Sequence, residues 1–366
     1  MRYSVNQMLS FLSRASFLCW LTAVTLACAA QEPFPGEPAS APQQRQQQPA
    51  QNPPLPEPPP TIRVNTSVVL VPTLVEKSTG EIVYGLTQKD FTLEDNGVRQ
   101  NIHVDDDLDA QPVSLVVCIQ RGRSAGLEFD KYARLGPLLD LFTAGERGEA
   151  ALVVFDSKPV YLEGFTRDTS TITERLQQLR PGDGGAAILD AVGYSVDLLE
   201  HQPPDHRRIL LLISESRDHG SKRYSAQDLV ERIGTSNTLV LSLTFSPTKA
   251  GLMEWGKGNA EGGAGINVLA PLMMAVAAVK KNAAREMAVM SGGESAAFTK
   301  EKGFEDRVAE MASHARNRYI LSFRPSDLTP GLHRIEVKLN DDYSAHVIAR
   351  TSYWAVSDAT DRNSVP

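Results

Sequence analysis

The chain predicts an α/β fold: a doubly wound, mostly parallel sheet flanked by N- and C-terminal β segments that together make a small β module. Three observations carry this. Apolar runs recur at "VSLVVCI", "EAALVVF", "RILLLIS" and "TLVLSLTF", at strand length and with the continuity of strands covered on both faces. Between them lie segments with apolar residues at helical spacing, and strands separated by helices imply a parallel sheet with helices on both faces. Before and after this core the pattern changes to apolar–polar alternation broken by turn residues.

The first thirty residues carry Arg2 and Arg14, an apolar stretch from Phe17 to Ala27 and then small residues, the pattern of a secretory signal peptide that is too short to span a bilayer. Cleavage after Ala27-Cys28-Ala29 gives plain export. Cleavage just before Cys28 would leave a lipidated cysteine, for which Thr25 and Leu26 make a poor recognition sequence. The expected location is therefore periplasmic or extracellular, with the membrane reached only through Cys28. Residues 31–60 are rich in Pro and Gln and read as a disordered linker. After plain export Cys118 is the single remaining cysteine, so no disulfide framework is expected and Cys118 reads as a small buried hydrophobe. A formal net charge of −7 and the lack of a basic stripe exclude nucleic acid as the partner class.

Residues 61–110 form the N-terminal β segment, with Asn96-Gly97 supplying a tight hairpin turn. The acidic run Asp105-Asp106-Asp107 with Asp109 lacks the spacing and closing glutamate of a calcium loop and reads as a solvated connection. Residues 111–317 hold the α/β core. After its first strand, "LEFDKYARLGPLLDLF" reads as one helix. The strand "EAALVVF" precedes a hairpin "KPVYLEGF", a helix near Ser170 to Leu179, the loop "RPGDGGA" and the helix "AILDAVGYSVDLLE". The strand "RILLLIS", the helix "SAQDLVERIG" and the strand "TLVLSLTF" follow. Residues 246–265 read as an exposed excursion, the Ala- and Met-rich stretch "INVLAPLMMAVAAVKKNAAREMAVM" as a core-facing helix or a docking helix for a partner, "SGGESAAF" as a short strand and "FEDRVAEMASHARN" as an amphipathic helix. Residues 318–356 return to β with "RYILSFRP", "LHRIEVKLN" and "AHVIARTSYWA", and residues 357–366 form a tail.

One short motif invites an enzymatic reading. Gly122-Arg-Ser124-Ala-Gly126 matches the G-x-S-x-G elbow that presents a hydrolase serine between strand and helix. A triad needs a later acid and histidine on separate strand ends. Asp218 and His219 are adjacent in one loop, a poor arrangement for an acid that must orient the imidazole from behind, while His314, His333 and His346 belong to the last helix and the β module. The elbow also follows the first strand of the core rather than one expected well inside the sheet. A serine hydrolase using Ser124 is thus the second reading, and a non-enzymatic module the first.

The flanks carry a resemblance. "GLTQKDFTLEDNGVRQ" before the core and "RNRYILSFRPSDLTPGLHRIEVKL" with "VIARTSYWA" after it resemble segments of the von Willebrand factor type A-related proteins of bacteria, of the acidobacterial type, over roughly Thr61 to Ala355. The resemblance implies an extracytoplasmic adhesion or scaffold module of the type A fold, without catalysis. It also implies a divalent-metal adhesion site at the carboxyl ends of the central strands, built from a first loop D-x-S-x-S, a threonine of the second loop and an aspartate of the third, and completed by a partner carboxylate.

Placed on these positions, the leading aspartate becomes Ile119, the two serines Arg121 and Arg123, the threonine Ala186 beside Gly184 and Gly185, and the third-loop aspartate Glu215. Asp190 remains on the following helix, and Ser124 and Asp156 lie nearby without restoring the spacing. One carboxylate and no hydroxyl survive at these positions, and two permanently charged guanidinium groups would repel a dication, so the site is expected to be degenerate and to hold no metal or other cofactor. The candidate partner-binding residues are Arg121, Arg123, Ser124, Glu215 and Asp218. The arginines would either take an acidic group of an unidentified protein or envelope component in place of the metal, or pair internally with Glu215, Asp218 or Asp183.

Overall fold

The computed structural model describes residues 68–105, 111–143, 148–245, 269–299 and 301–356, all within one unit, Ile62–Pro366. The expected signal peptide, linker, acidic run beyond Asp105, excursion at 246–265 and tail lie outside the described residues. No helix among the described residues is long and apolar enough to cross a membrane.

The N-terminal segment contributes β1 (Val69–Lys77), β2 (Phe91–Asp95), β3 (Val98–Arg99) and β4 (Ile102–Asp105). Asn96 and Gly97 join β2 to β3 with φ of 48° and 82°, the left-handed pair that an Asn-Gly hairpin turn needs. The core contains strands β5 (Val113–Gln120), β6 (Glu149–Phe155), β7 (Pro159–Thr166), β8 (Arg207–Ser214), β9 (Thr238–Phe245) and β10 (Ser295–Phe298). Its helices are α1 (Phe129–Tyr132), α2 (Gly136–Thr143), α3 (Thr169–Gln177), α4 (Ile188–Glu200), α5 (Ala226–Thr235), α6 (Leu269–Lys281), α7 (Ala283–Ser291) and α8 (Glu301–Arg316). The closing strands are β11 (Tyr319–Phe323), β12 (Gly331–Leu339), β13 (Ala345–Ala349) and β14 (Ser352–Ala355).

The six core strands lie in the order β10-β9-β8-β5-β6-β7, all parallel except the antiparallel edge β7. The fold class read from the sequence is the observed one. Every residue of β5 and β9 is buried, because helices cover both faces. Side chains alternate accordingly. Leu115, Val117 and Ile119 of β5 pack against Tyr132, Leu139, Phe142, Phe304 and Val308 on one face, while Val116 and Cys118 pack against Ile188, Val192, Leu229 and Met287 on the other. Burial pushes the Cys118 thiol up to about 12, so it stays protonated and behaves as a small hydrophobe.

Three helical or strand segments differ from the pattern reading. The segment expected as one helix over 127–142 breaks into a 3₁₀ turn at Arg123–Glu128, α1 and α2, with Pro137 opening the new helix where its missing N–H is harmless. The Ala- and Met-rich stretch breaks at Asn282, whose side chain caps α7 by accepting from Arg285 N–H at 3.0 Å. Of its two halves, α7 is mostly buried and α6 packs Leu272 and Val276 inward while Met273 stays 70% exposed. The last segment is two strands rather than one, β13 and β14, placed in different sheets.

Those two sheets are antiparallel and four-stranded, β13-β1-β11-β4 and β14-β12-β2-β3. Val71, Val75, Leu321 and Phe323 from the first and Phe91, Leu93, Ile335 and Tyr353 from the second share one core, so the N- and C-terminal segments enclose a sandwich. Inside it His333 Nδ1 lies 3.0 Å from Asp95 Oδ1, and Tyr353 Oη donates to Asp95 Oδ2 at 2.8 Å, which satisfies a buried carboxylate. The switch of sheets between β13 and β14 falls at Arg350. Its buried guanidinium donates to the carbonyls of Ser352 (2.8 Å), Leu70 (3.2 Å), Ile233 (3.2 Å) and Gly234 (2.6 Å), bridging both sandwich sheets to the C-terminal end of α5. A cation on the last carbonyls of a helix also complements its dipole.

Candidate functional site at the carboxyl ends of the parallel strands

Three loops leave the carboxyl ends of core strands, 121–124 after β5, 156–158 after β6 and 215–219 after β8, and a fourth, 181–187 between α3 and α4, meets them there. This is where the strand register predicts a ligand crevice in an open α/β sheet. Because Ile119 belongs to the inward-facing set of β5, its side chain lies in the hydrophobic core. The side chain that reaches the loops is Gln120, one residue later. Fully buried, it donates from Nε2 to the Gly122 carbonyl at 3.2 Å and accepts on Oε1 from the Glu215 N–H at 2.9 Å, tying the first loop to the third.

That register corrects one point of the sequence reading: Ile119 faces the core and Gln120 faces the loops, since alternation along a strand flips every side chain with a one-residue slip. A D-x-S-x-S pattern led by the loop-facing residue would fall on Gln120, Gly122 and Ser124 rather than on Ile119, Arg121 and Arg123, with an amide in place of the leading carboxylate. Gly122 stands where the first serine would be, and a Cβ there would lie 2.0 Å from the Gly185 carbonyl oxygen. No side chain fits between these two loops. Ser124 lies in the 3₁₀ turn Arg123–Glu128, and its side chain is outside the described ones.

The loop 181–187 is stitched onto its neighbours by backbone. Gly182 N–H donates to the Arg121 carbonyl at 2.9 Å, Arg123 N–H to the Asp183 carbonyl at 3.0 Å and Ala187 N–H to the Asp156 carbonyl at 2.8 Å. Ala186 and His219 exchange two backbone bonds of 2.8 Å, so Ala186 is buried between loops and contributes backbone only. Asp183 accepts on Oδ1 from Ser157 N–H at 3.0 Å and Gly185 N–H at 2.8 Å, and the Ser157 hydroxyl donates to its Oδ2. The Ser157 hydroxyl first, then the Gly185 N–H, hold the Asp183 carboxyl below the usual range.

The two arginines pair internally. Arg121 donates from Nε (3.0 Å) and Nη2 (2.9 Å) to Asp156 Oδ2, a partner that the sequence reading left aside. Arg123 Nε donates to Glu215 Oε2 at 3.1 Å, as one of the two alternatives expected. Both carboxylates are nearly buried while the guanidinium groups are 29% and 40% exposed. Arg123 has φ of 52°, a left-handed backbone rare outside glycine, held by its own N–H bond to Asp183 and by the Glu215 pair.

The other acids of the region cap and brace. Asp218 accepts from Leu189 N–H at 3.0 Å in the first turn of α4 and from the Ser221 hydroxyl. Asp190 accepts the N–H groups of Lys222, Arg223 and Tyr224, each at 2.9 Å. Gln120 and Asp190 are the residues whose roles the residue pattern did not announce. A polar residue ending an all-apolar strand was the one available signal for Gln120.

The hydrolase reading loses one counter-argument and keeps the other. Strand β5 is interior, between β8 and β6, so the elbow does follow a strand well inside the sheet. The histidines remain elsewhere: His314 Nδ1 lies 2.8 Å from Glu294 Oε1, His333 faces Asp95 within the sandwich, and His346 faces Glu76. His219 reaches the site only through its backbone pair with Ala186 among the bonds described.

No family model and no curated protein matches the chain. Among solved structures it is similar to an aerotolerance-related membrane protein from Bacteroides fragilis, at 15% identity and TM-score 0.38, over 55% of this chain and 98% of that one. It is similar to BatB from Bacteroides thetaiotaomicron, at 15% identity and TM-score 0.37, over 56% of this chain and 99% of that one. The von Willebrand factor domain of the type V pilus tip protein Mfa5 from Porphyromonas gingivalis matches at 17% identity and TM-score 0.26, over 33% of this chain and 49% of that one. At these scores the likenesses assign no activity, and the fold class stands on the strand order and the helices that cover it.

Proposed function

We propose that the chain is a non-catalytic, extracytoplasmic protein-interaction module of the type A kind, whose strand-end loops are held by fixed ion pairs in place of a divalent metal. The observation that carries this is the closure at Gly122, where the Gly185 carbonyl occupies the space of a serine hydroxyl and the Gln120 oxygen is already bonded to Glu215 N–H. Asp156 and Glu215 neutralise Arg121 and Arg123, so the described oxygens do not converge on one ion. A partner's acidic group is the complement of a rim that carries two part-exposed guanidinium groups. Arg123, the more exposed and the one whose guanidinium makes a single described bond, is the contact on which a carboxylate would depend.

Calorimetry of the chain with Mg²⁺ or Mn²⁺ tests the metal-free part: no binding that depends on Glu215 is expected, and stoichiometric micromolar binding abolished by Glu215→Gln would overturn it. Crosslinked capture from the cell envelope tests the rest. A partner lost on Arg121→Ala with Arg123→Ala supports the arginine rim, and a partner captured equally well by that variant removes it.

A further inference from the structure

A second cluster of chemically capable side chains lies at the opposite end of the sheet, where the sandwich meets the α/β layer. Glu76 is in the last turn of pairing of β1, Glu294 precedes β10, His314 is in the final turn of α8 and His346 is in β13. One ligating atom each from Glu76, Glu294 and His314 lies within 4.8 Å of the others. Glu294 Oε1 is 2.8 Å from His314 Nδ1, and His346 Nε2 is 3.5 Å from Glu76 Oε2. Donors bound tetrahedrally at zinc distances sit about 3.3 Å apart, so Glu76, Glu294 and His314 need only small movements to share one ion, with His346 the exposed neighbour of Glu76 that would turn toward it.

Two independent features point to a cation. Glu76 is 9% exposed, yet among the described residues no N–H or O–H donates to its carboxylate, and the His346 ring at 3.5 Å is its nearest described partner. A carboxylate largely withdrawn from water without donors is costly, and a bound cation offsets that cost. Arg318 bonds the Oε2 oxygen of Glu294 at 2.9 Å and leaves Oε1 turned to His314, the way an outer partner orients a metal ligand. Arg318 bonds only one of the two carboxylates, while its charge acts on Glu76 as well.

We propose that Glu76, Glu294, His314 and His346 form a site for a divalent cation of the zinc class, tying the sandwich to the parallel-sheet layer. Mixed imidazole and carboxylate donors select such an ion over Mg²⁺ or Ca²⁺, which favour oxygen alone. The ion enters from the side of His346, whose side chain is 54% exposed, and as it takes His314 Nδ1 a proton there moves to Nε2, or passes to solvent where Nε2 already carries one, so that the ring binds as a neutral imidazole.

The test is calorimetric titration of the full chain with Zn²⁺, with Co²⁺ absorption in the visible as the report of four-coordinate geometry. One ion per chain is expected, with a rise in melting temperature on loading. The double variant Glu76→Gln with His346→Ala, which keeps the shape of one side chain and trims an exposed other, should bind at least roughly tenfold more weakly. Glu215→Gln, at the far end of the sheet, should bind as the parent does, which separates this site from the strand-end loops. No stoichiometric zinc binding, or equal binding by the double variant, overturns the proposal.

Discussion

The two ends of the parallel sheet handle positive charge in opposite ways. At the carboxyl ends, Arg121 and Arg123 are part-exposed and meet nearly buried carboxylates, Asp156 and Glu215. At the amino-terminal end, Arg318 and Arg350 are buried and bond mainly to backbone carbonyls: Arg350 to four of them, Arg318 to Gly292 and Ile348 with Glu294 besides. Burial pushes Arg350 down to about 10, which leaves it charged at neutral pH. The difference is one of exposure. A part-exposed ion pair contributes little to stability, whereas a buried guanidinium holding carbonyls from three elements is structural.

The largest effect expected from this comparison is that of Arg350→Met. It strips four carbonyls of their donor at the seam between sandwich and helix, and should cost about 3 kcal/mol or more in urea unfolding. A loss as small as that of a surface arginine would erase the distinction between the two ends. Gly122→Ser comes next. The new Cβ meets the Gly185 carbonyl, so roughly 1–3 kcal/mol of stability is lost as the loops part, again read from urea unfolding. The pair Gln120→Asp with Gly122→Ser should still bind no Mg²⁺ by calorimetry, because the arginines remain.

Arg123→Ala should cost about 1 kcal/mol, more than an exposed pair because Glu215 is nearly buried. Arg123→Gly loses the same pair but suits the left-handed backbone, so it should be the more stable of the two variants by up to about 1 kcal/mol in thermal unfolding. The smallest effect concerns Asp183. Its folded-state pKa is depressed below the ordinary 3.8, so the bonds from Ser157 and Gly185 contribute above that value and are lost as pH falls through the folded one. Ser157→Ala should therefore lower the melting temperature slightly at neutral pH and lose its effect in acid, once the pH has fallen through the folded-state value below 3.8. A difference that persists in acid would assign Ser157 another role.

Much of the architecture is legible in the residues. All-apolar strands with helices between them announce a covered parallel sheet, and Asn96-Gly97 announces its hairpin, because each rests on local periodicity or backbone preference. The breaks were less legible. Pro137 and Asn282 sit inside apolar patterns that continue across them, and the division of "AHVIARTSYWA" into two sheets depends on Arg350 finding carbonyls over 100 residues away in sequence. The strand-end loops were legible as a place, but the strand side chain that reaches them is one residue later than the reading set it. In a fully buried strand neither Ile119 nor Gln120 is marked by exposure, and only the pleat decides which side chain reaches the loops.

The sequence by itself therefore determined the alternation of elements, the covered sheet, the β flanks and the presence of two arginines beside acidic loops. These follow from periodicity and charge, which act over a few residues. Only the tertiary structure decided that the flanks close into one sandwich, that Gln120 rather than Ile119 faces the loops, that Arg121 takes Asp156, and that Gly122 and Gly185 leave no room between them. Those outcomes depend on contacts between segments distant along the chain, where sub-ångström packing and the fixed direction of a hydrogen bond choose among partners that the order of residues leaves equal.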